Sequence, residues 1–299
     1  MRTVTDLAPL YEEAARATAT GSKSFFFATK FFPRELAGSA HAVYWFCRTT
    51  DDIVDECADI ADGRRELEGW AIATRQALEE GQSSNRILHV FADAVGRHRI
   101  PHELPFELIE GMRMDLNCTR YRNFGELRVF CYRVASVVGL MMSQVIGFEG
   151  EAGLNYAIDL GIGMQLTNIL RDLGEDWQRG RVYLPEDELA RFGYTREMLG
   201  RGEQNAAFRE LMAFQIQRAR GHYTSAEPGI ALLNRDGRFA VQVASDVYSQ
   251  ILRRIELANY DVFSERAVVP PLEKYWMTMR RMAWPMARHS LVKWRGRLR

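Results

Sequence analysis

The chain has 299 residues, of which 47 % are hydrophobic, so it can bury the core of one large domain or of two small ones. Lysine plus arginine and aspartate plus glutamate number 39 each, which gives a formal net charge of zero. This balance argues against a nucleic-acid-binding protein that relies on bulk electrostatic attraction, so no nucleic-acid partner is expected.

Helical periodicity dominates the chain, and the alternation typical of strands is scarce. Apolar residues recur at helical spacing in nine segments: 6–18, 35–57, 65–79, 86–98, 105–117, 125–147, 151–177, 204–226 and 236–258. Pro185 and the three acidic residues after it are typical of the first turn of another helix. Helix breaks are predicted at Pro228-Gly229 and at Pro270-Pro271. With no internal repeat or long linker, the pattern predicts one all-α domain over 1–299 with ten or more helices.

The longest uncharged stretch, 134–148, is shorter than the roughly 20 residues that span a bilayer, so we expect a buried helix there. The first residues, 1–13, carry several charges and predict no signal peptide. The four cysteines show no metal-binding spacing and are interpreted as small buried residues in a reducing compartment. A cytoplasmic location is therefore expected.

The C-terminal segment 279–299 departs from the neutral average. It contains seven arginine or lysine residues mixed with tryptophan and aliphatic residues, which is the composition of a membrane-surface segment. The alternative is a basic last helix whose apolar side packs on the core. Pro285 favours that alternative because it interrupts any long amphipathic helix. Peripheral membrane contact through this segment is one of two open hypotheses.

The segment 165–176 carries the first candidate site. Read as a helix, it places Gln165, Asn168, Asp172 and Asp176 on one face, because steps of three or four residues return to the same side. These side chains all bear oxygen. A divalent cation such as Mg²⁺ is held by such ligands together with waters and substrate phosphates.

A second acidic pair, Asp51 and Asp55, is also four residues apart. Like charges at this spacing repel, so two such pairs beside apolar residues indicate a cation that offsets the repulsion. The alternative for either pair alone is a solvated acidic face. We expect the two pairs to face each other across one pocket.

Four motifs in order then resemble the squalene/phytoene synthase family, the head-to-head prenyl synthases, over roughly residues 17–260. The motifs are Ser22-Lys23-Ser24-Phe25; Tyr44–Arg48 followed by 51–56; Tyr132–Ala135 through Gly139; and Gln165–Asp176 with 179–181 and 183–185. The resemblance implies an all-α isoprenoid-synthase fold, a helical bundle with a central cavity. It implies prenyl diphosphates as substrates.

The resemblance also implies the site residues. Mg²⁺, with Mn²⁺ as the alternative ion, would be held by Asp51, Asp55, Asn168, Asp172 and Asp176, and the four aspartates would be catalytic because the cation assists departure of pyrophosphate. Substrate would be bound by a further set: Ser22, Lys23, Phe25, Tyr44, Arg48, Gln165, Asn168, Arg171 and Tyr248. For the basic residues of this set the alternative is a salt bridge to the aspartates, and for the aromatic ones it is plain core packing.

The implied reaction joins two geranylgeranyl diphosphates through a cyclopropylcarbinyl diphosphate to give phytoene. The alternative is a farnesyl diphosphate enzyme that forms presqualene diphosphate, dehydrosqualene or squalene, with NADPH required only for squalene. A non-catalytic scaffold of the same fold is a more distant alternative, and a passive lipid-binding protein is another. One position departs from the family pattern: Phe130 stands where the family usually has a tyrosine implicated in proton handling or cation steering.

Overall fold

A computed structural model of the chain describes residues 7–117, 120–150 and 152–281. Helices α1 to α15 and one π-helical turn form within these ranges, and no strand is named among them. The bounds of the first half are α1 Ala8–Gly21, α2 Lys23–Thr29, α3 Arg34–Asp55, α4 Ile60–Glu80, α5 Arg86–His98, α6 Glu103–Asn117, α7 Phe124–Cys131, the π turn Tyr132–Ser136 and α8 Val137–Ile146.

The bounds of the second half are α9 Ala152–Arg171, α10 Leu173–Gln178, α11 Glu186–Arg191, α12 Arg196–Gly200, α13 Ala206–Ile230 and α14 Arg235–Leu257, and a last helix, α15, runs from 271 and is described up to 281. The second half contains α13 and α14, the longest of the helices α1 to α14. The predicted all-α fold is confirmed.

Local sequence chemistry explains where several helices begin and end. The side chains of Asp59, Asn85 and Asn123 accept hydrogen bonds from backbone amides in the first turns of α4, α5 and α7. Such caps satisfy amides that have no partner inside the helix. Helix α4 ends at Glu80 and is followed by Gly81, whose φ of 67° lies in the left-handed region that glycine adopts without a steric penalty.

Helix α9 lies at the centre of the bundle and packs against the π turn, α8, α13 and α14. Two large groups of buried side chains flank it. The side chains of one group come from α3–α6 and α8. Those of the other group come mainly from α7, α9, α13, α14 and the segment after α10. The bundle therefore packs around α9, the helix that carries Gln165 and Asn168 and leads to Asp172; we call the segment 165–176 the second acidic motif and the segment 51–56 the first.

The central apolar helix agrees with the helix predicted over 125–147. A continuous helical run from Phe124 to Ile146 is apolar and long enough to cross a membrane by length and composition, and half of its most apolar window is buried. It packs against α3, α6 and α9. Val137 and Met141 are fully buried, which confirms the predicted buried helix.

Gly161 of α9 explains how closely the π turn approaches. A Cβ atom added to it would lie 2.4 Å from the Cα of Ser136 and 2.6 Å from its backbone nitrogen. The Ser136 hydroxyl donates to the Ile158 carbonyl at 2.7 Å. Glycine at position 161 is therefore required for close packing. Gly163 has a similar but looser role, because its added Cβ would lie 3.3 Å from His222.

Two sequence expectations are wrong in detail. Segment 151–177 is two helices, since Asp172 has φ −103° and ψ 11° and separates α9 from α10. The backbone amides of Asp172 and Asp176 still donate to the carbonyls of Asn168 and Asp172, so these two hydrogen bonds keep the i to i−4 pattern on either side of the bend. Pro228 does not end α13, which continues to Ile230.

Candidate active site

An apolar cavity of about 280 Å³ lies inside the bundle, lined by α2, α3, the π turn, α8, α9, α13 and α14. Six of the nine predicted substrate-binding residues line it: Ser22, Phe25, Tyr44, Gln165, Asn168 and Tyr248. Residues from opposite ends of the chain thus meet around one space. Gln165 and Asn168 form part of its polar lining, one turn before Asp172.

The α2 side of the cavity is organised by Ser22 and two aromatic rings. The Ser22 hydroxyl accepts a hydrogen bond from the Phe25 amide at 3.3 Å and caps α2. The Phe25 ring stacks on Tyr44 with 5.3 Å between centroids. Burial raises the pKa of Tyr44 to about 12, so its hydroxyl stays protonated at neutral pH.

Two arginines bind Asp55 from the segment just after the second acidic motif. Arg181 Nη1 donates to one Asp55 oxygen at 2.6 Å, and Arg179 Nη1 donates to the other at 3.0 Å. Asp55 and Arg181 are both largely buried, whereas about half of the Arg179 side chain is exposed. The acidic pair of α3 is therefore joined by direct ion pairs to the segment that follows Asp176, although the two lie far apart in the sequence.

A buried carboxylate, Asp115 of α6, stands beside this junction. It accepts a hydrogen bond from the Tyr183 hydroxyl at 2.6 Å and lies 3.3 Å from Arg181. Burial raises the pKa of Asp115 and outweighs the opposing charge of Arg181. Burial alone would lower the pKa of Arg181, but the charges of Asp115 and Asp55 outweigh it and raise that pKa. Arg181 is therefore a fixed cation between two carboxylates.

Asp51 and Asp176 are the least compensated carboxylates of the site. Displacement of water by surrounding protein raises the pKa of Asp51 to about 7, although 44 % of the side chain is exposed, and the charges of Asp55 and Asp115 add to the effect. Burial, then Asp172 and Asp115, raise the pKa of Asp176 to about 7. Other carboxylates of the site thus repel the charged forms of Asp51 and Asp176, and a bound cation would offset this repulsion.

Asp172 is compensated by two arginines. Arg171 donates to its two oxygens at 2.7 and 2.5 Å, and Arg266 donates to the same oxygens at 2.8 and 3.0 Å. Burial by itself would raise the pKa of Asp172, but these hydrogen bonds outweigh it and lower that pKa. Asp172 therefore stays ionised, and its lone pairs are shared between two guanidinium groups.

The other predicted diphosphate ligands lie outside the cavity lining. Arg48 forms ion pairs with Asp51 at 3.5 Å and Asp52 at 2.5 Å, as the salt-bridge alternative predicts. Lys23 is exposed, and its charge lowers the pKa of Lys274 together with the larger effect of burial. Two lysines thus stand near the start of α2.

The donor atoms suit a divalent cation. Asn168 Oδ1 is buried and has no hydrogen-bond partner among residues 7–117, 120–150 and 152–281, which leaves an oxygen for a cation or an ordered water. Within the same ranges, no three acid, histidine or cysteine side chains converge closely enough to hold a metal alone. Mg²⁺ commonly takes one or two carboxylates and completes its shell with waters and substrate phosphates. The donor set fits an ion that is held jointly with a diphosphate.

Phe130 lies away from the cavity, in an aromatic group with Tyr121 and Tyr183. Its ring is stacked 5.2 Å from Tyr183 and is almost fully buried. Tyr132 packs with the other large group of core side chains, so it points in a different direction, as the helical spacing predicts. The hydroxyl of Tyr183, the residue on which Phe130 stacks, donates to Asp115.

Sequence reasoning assigned no role to four residues that the structure places at the site: Asp115, Arg181, Tyr183 and Arg266. One signal was available, since Asp115 stands on the apolar side of α6 between Met112 and Leu116, which are both buried. A charged residue on a buried stripe indicates a partner or a function. Arg266 lies in an irregular segment, where no periodicity marks it.

Comparison with known proteins agrees with this geometry. The model of the squalene/phytoene synthase family matches residues 18–273. A phytoene synthase from Arthrospira platensis is 40 % identical over 287 residues, which cover 92 % of this chain and 93 % of that protein. A 15-cis-phytoene synthase from Synechococcus elongatus is 37 % identical, with coverage of 91 % and 92 %.

Solved structures show the same fold. A dehydrosqualene synthase superposes with a TM-score of 0.88 at 26 % identity and covers 94 % of this chain and 98 % of its own. A squalene synthase from Alicyclobacillus acidocaldarius has a TM-score of 0.79 at 23 % identity, with coverage of 85 % and 96 %, which supports the fold alone. The chain belongs to the squalene/phytoene synthase family.

Proposed function

We propose that this chain condenses two molecules of geranylgeranyl diphosphate head to head and forms phytoene by way of a cyclopropylcarbinyl diphosphate. As a member of its family the chain is a prenyltransferase. The observation that carries the proposal is its 37–40 % identity, over about nine tenths of its length, with relatives that are phytoene synthases. The paired acidic motifs beside an apolar cavity supply a physical basis.

The family depends on divalent metal and acts on prenyl diphosphates. We assign Mg²⁺, with Mn²⁺ as the alternative, to oxygens of Asp51, Asp55, Asn168, Asp172 and Asp176. When bound, such an ion neutralises charge on a leaving diphosphate. Arg48 and Arg171 now pair with aspartates, and their guanidinium groups can grip diphosphate oxygens bidentately once a cation shares those aspartates. Lys23 offers a further positive charge near the start of α2.

The cavity protects the allylic cation that remains when pyrophosphate leaves. Water would quench this cation, so an apolar lining favours carbon–carbon bond formation. Phe25 and Tyr44 present stacked aromatic rings at the wall, and aromatic faces attract cations. Tyr248 also lines the cavity, and we assign it to substrate contact.

The second candidate is a farnesyl diphosphate enzyme. The TM-score of 0.88 with a dehydrosqualene synthase favours it, because that likeness extends over nearly the whole of both chains. Its products would have thirty carbons, and NADPH would be needed only for squalene. A scaffold without activity is disfavoured because Asp51, Asp55, Asp172 and Asp176 are all retained.

Incubation of the purified chain with C15 or C20 prenyl diphosphate tests the proposal. Each reaction runs with Mg²⁺, with EDTA and with Mg²⁺ plus NADPH, and extracted lipids are identified by mass spectrometry. We expect a C40 product from the C20 substrate, dependent on Mg²⁺ and independent of NADPH. Absence of product from both substrates would contradict an enzymatic function, and squalene formed only with NADPH would support the second candidate.

The organisation and location of the chain stay predictions. We infer a single domain over 1–299, supported by the packing of α9 against helices on both sides of the bundle. A cytoplasmic chain that touches the membrane surface through 279–299 fits an apolar product. Residues 282–299 of that segment lie outside the described residues.

A further inference from the structure

Helix α15 exposes its apolar side chains. Leu272 is 81 % exposed, Trp276 and Met279 are each 63 % exposed, and Tyr275 is 56 % exposed. Their spacing of three and four residues places them on one side of the helix, which we call the outer face of α15. Four large apolar or aromatic side chains on one exposed face is unusual for a helix packed on a core, which normally turns this side inward.

Several polar side chains of α15 contact the rest of the protein. Glu273 pairs with Arg254 of α14, and Arg281 binds Asp246 of the same helix through contacts of 2.7 and 2.9 Å. Thr278 is buried, with only 5 % of its surface exposed. These ion pairs anchor α15 to α14, and Met277 packs against the core, which leaves the outer face largely exposed.

Helix α15 packs against two helices of the cavity wall, α2 and α14. Lys274 Nζ donates to the Ser24 hydroxyl of α2 at 2.8 Å, and the Tyr275 ring meets the Phe27 ring edge-on at 5.1 Å. Helices α2 and α14, which hold α15, both contribute side chains to the cavity wall. A partner bound to the outer face would consequently lie close to two of the helices that enclose the cavity.

We propose that the outer face of α15 docks the protein on the surface of an anionic lipid bilayer. Tryptophan and tyrosine favour the boundary between water and lipid, because they combine an apolar ring with a polar atom, and Leu272 and Met279 add apolar depth. Arg280, exposed on α15, holds its guanidinium carbon 5.8 Å from the Trp276 ring centre. Positive charge thus accompanies the apolar side chains.

Charge complementarity selects a lipid surface over a second copy of this chain. From Met279 to Arg299 the sequence has seven arginine or lysine residues and no acidic residue, although the whole chain is neutral. Each basic residue near an anionic membrane surface contributes about 1 kcal/mol of attraction. Two copies that met through α15 would bring these like charges together, which disfavours that contact.

This proposal rests on the proposed function, because prenyl substrates and a C40 hydrocarbon product partition into lipid and an enzyme docked on a bilayer would have access to both. Vesicle flotation tests docking without any turnover. The full chain is mixed with vesicles of phosphatidylcholine and phosphatidylglycerol, and with vesicles of phosphatidylcholine alone. We expect binding to the anionic vesicles, and at least tenfold weaker binding when Leu272→Ser and Trp276→Ser are combined, because two buried apolar side chains are lost.

A matched control combines Ile60→Ser with Ile72→Ser on α4, whose side chains are 54 % and 61 % exposed. This control should float like the wild type, and circular dichroism should show all three proteins folded. Turnover of C20 diphosphate in detergent should be equal in all three. Failure of the wild type to float overturns the proposal, as does a Leu272/Trp276 variant that floats normally. A wild-type dimer that the variant dissociates, seen by light scattering, would assign the face to a second copy instead.

Discussion

Arg181 Nη1 lies 2.6 Å from an oxygen of Asp55, across 126 positions of sequence. This contact ties the end of α3 to the segment after α10 and so brings the two acidic motifs to one place. Asp115 lies 3.3 Å from the same arginine nitrogen, and Tyr183 donates to Asp115. The position of Asp55 therefore depends on a cation fixed from both sides.

Replacement of Arg181 by methionine should destabilise the protein. It leaves Asp55 and Asp115 with less positive charge in a buried setting, and loss of one partner of a buried pair costs about 3 kcal/mol or more. Arg179→Met is the matched control, because Arg179 binds the same Asp55 but is 53 % exposed, so its loss should cost less than about 1 kcal/mol. Denaturant unfolding measures both values, and equal losses would contradict the role of Arg181.

Asp51→Asn should abolish most turnover without lowering stability. A cation ligand is lost, and metal assistance is worth several kcal/mol, so kcat/KM should fall at least about 100-fold. The pKa of Asp51 is raised to about 7, so at pH 8 its charge is unfavourable in the native state and removal of that charge should maintain or raise Tm.

Asp52→Asn is the neighbouring control for that change. Asp52 follows Asp51 in the sequence and also pairs with Arg48, but it is not one of the proposed metal ligands. Its substitution should reduce kcat/KM less than tenfold. Turnover by Asp51→Asn at the wild-type rate would refute the assignment of Asp51 to the cation.

Gly161→Ala should destabilise the bundle by about 3 kcal/mol, because the new methyl group would overlap the Ser136 backbone, which belongs to the π turn and cannot rotate away. Gly163→Ala offers a comparison in the same helix. There the nearest atom is 3.3 Å away and alanine improves helix propensity, so stability should stay within about 1 kcal/mol of the wild type. Thermal unfolding checks both, and an unaffected Gly161→Ala protein would contradict the close approach.

His41 should make the protein less stable in acid. Burial lowers the pKa of His41 to about 4, whereas an unfolded histidine titrates near 6.5. Below pH 6.5 the unfolded state therefore binds a proton that the native state does not, and the unfolding free energy falls as the pH falls toward 4. The wild type should lose about 2 kcal/mol more than His41→Gln between pH 7 and pH 5. Parallel pH profiles of the two proteins would contradict a buried neutral histidine.

The sequence was sufficient for the features that depend on spacing. Helical periodicity located the main helices, and the acidic pairs were recognisable because Asp51 and Asp55 share one face of α3. The same periodicity predicted one continuous helix through Asp172, whereas the chain bends at this residue. Arg171 and Arg266 both donate hydrogen bonds to Asp172. The sequence does not reveal the second contact, because Arg266 lies 94 positions away from Asp172.

Long-range partners account for most of what could not be predicted. Asp115 lies on a predicted apolar stripe, but its partners Tyr183 and Arg181 come from a connecting segment whose path depends on the complete fold. The outward apolar side of α15 is another example, because periodicity predicts an amphipathic helix without saying which side faces the core. The ion pair between Arg281 and Asp246 decides that orientation.

The most direct test of the central claim is a competition between substrates. The purified chain receives equal concentrations of C15 and C20 prenyl diphosphates with Mg²⁺, and the hydrocarbon products are separated by chromatography and identified by mass. The proposed function predicts phytoene as the main product, with C40 exceeding C30 by at least tenfold and no product in EDTA. A C30 product alone, or C40 formed equally well without divalent metal, would contradict it.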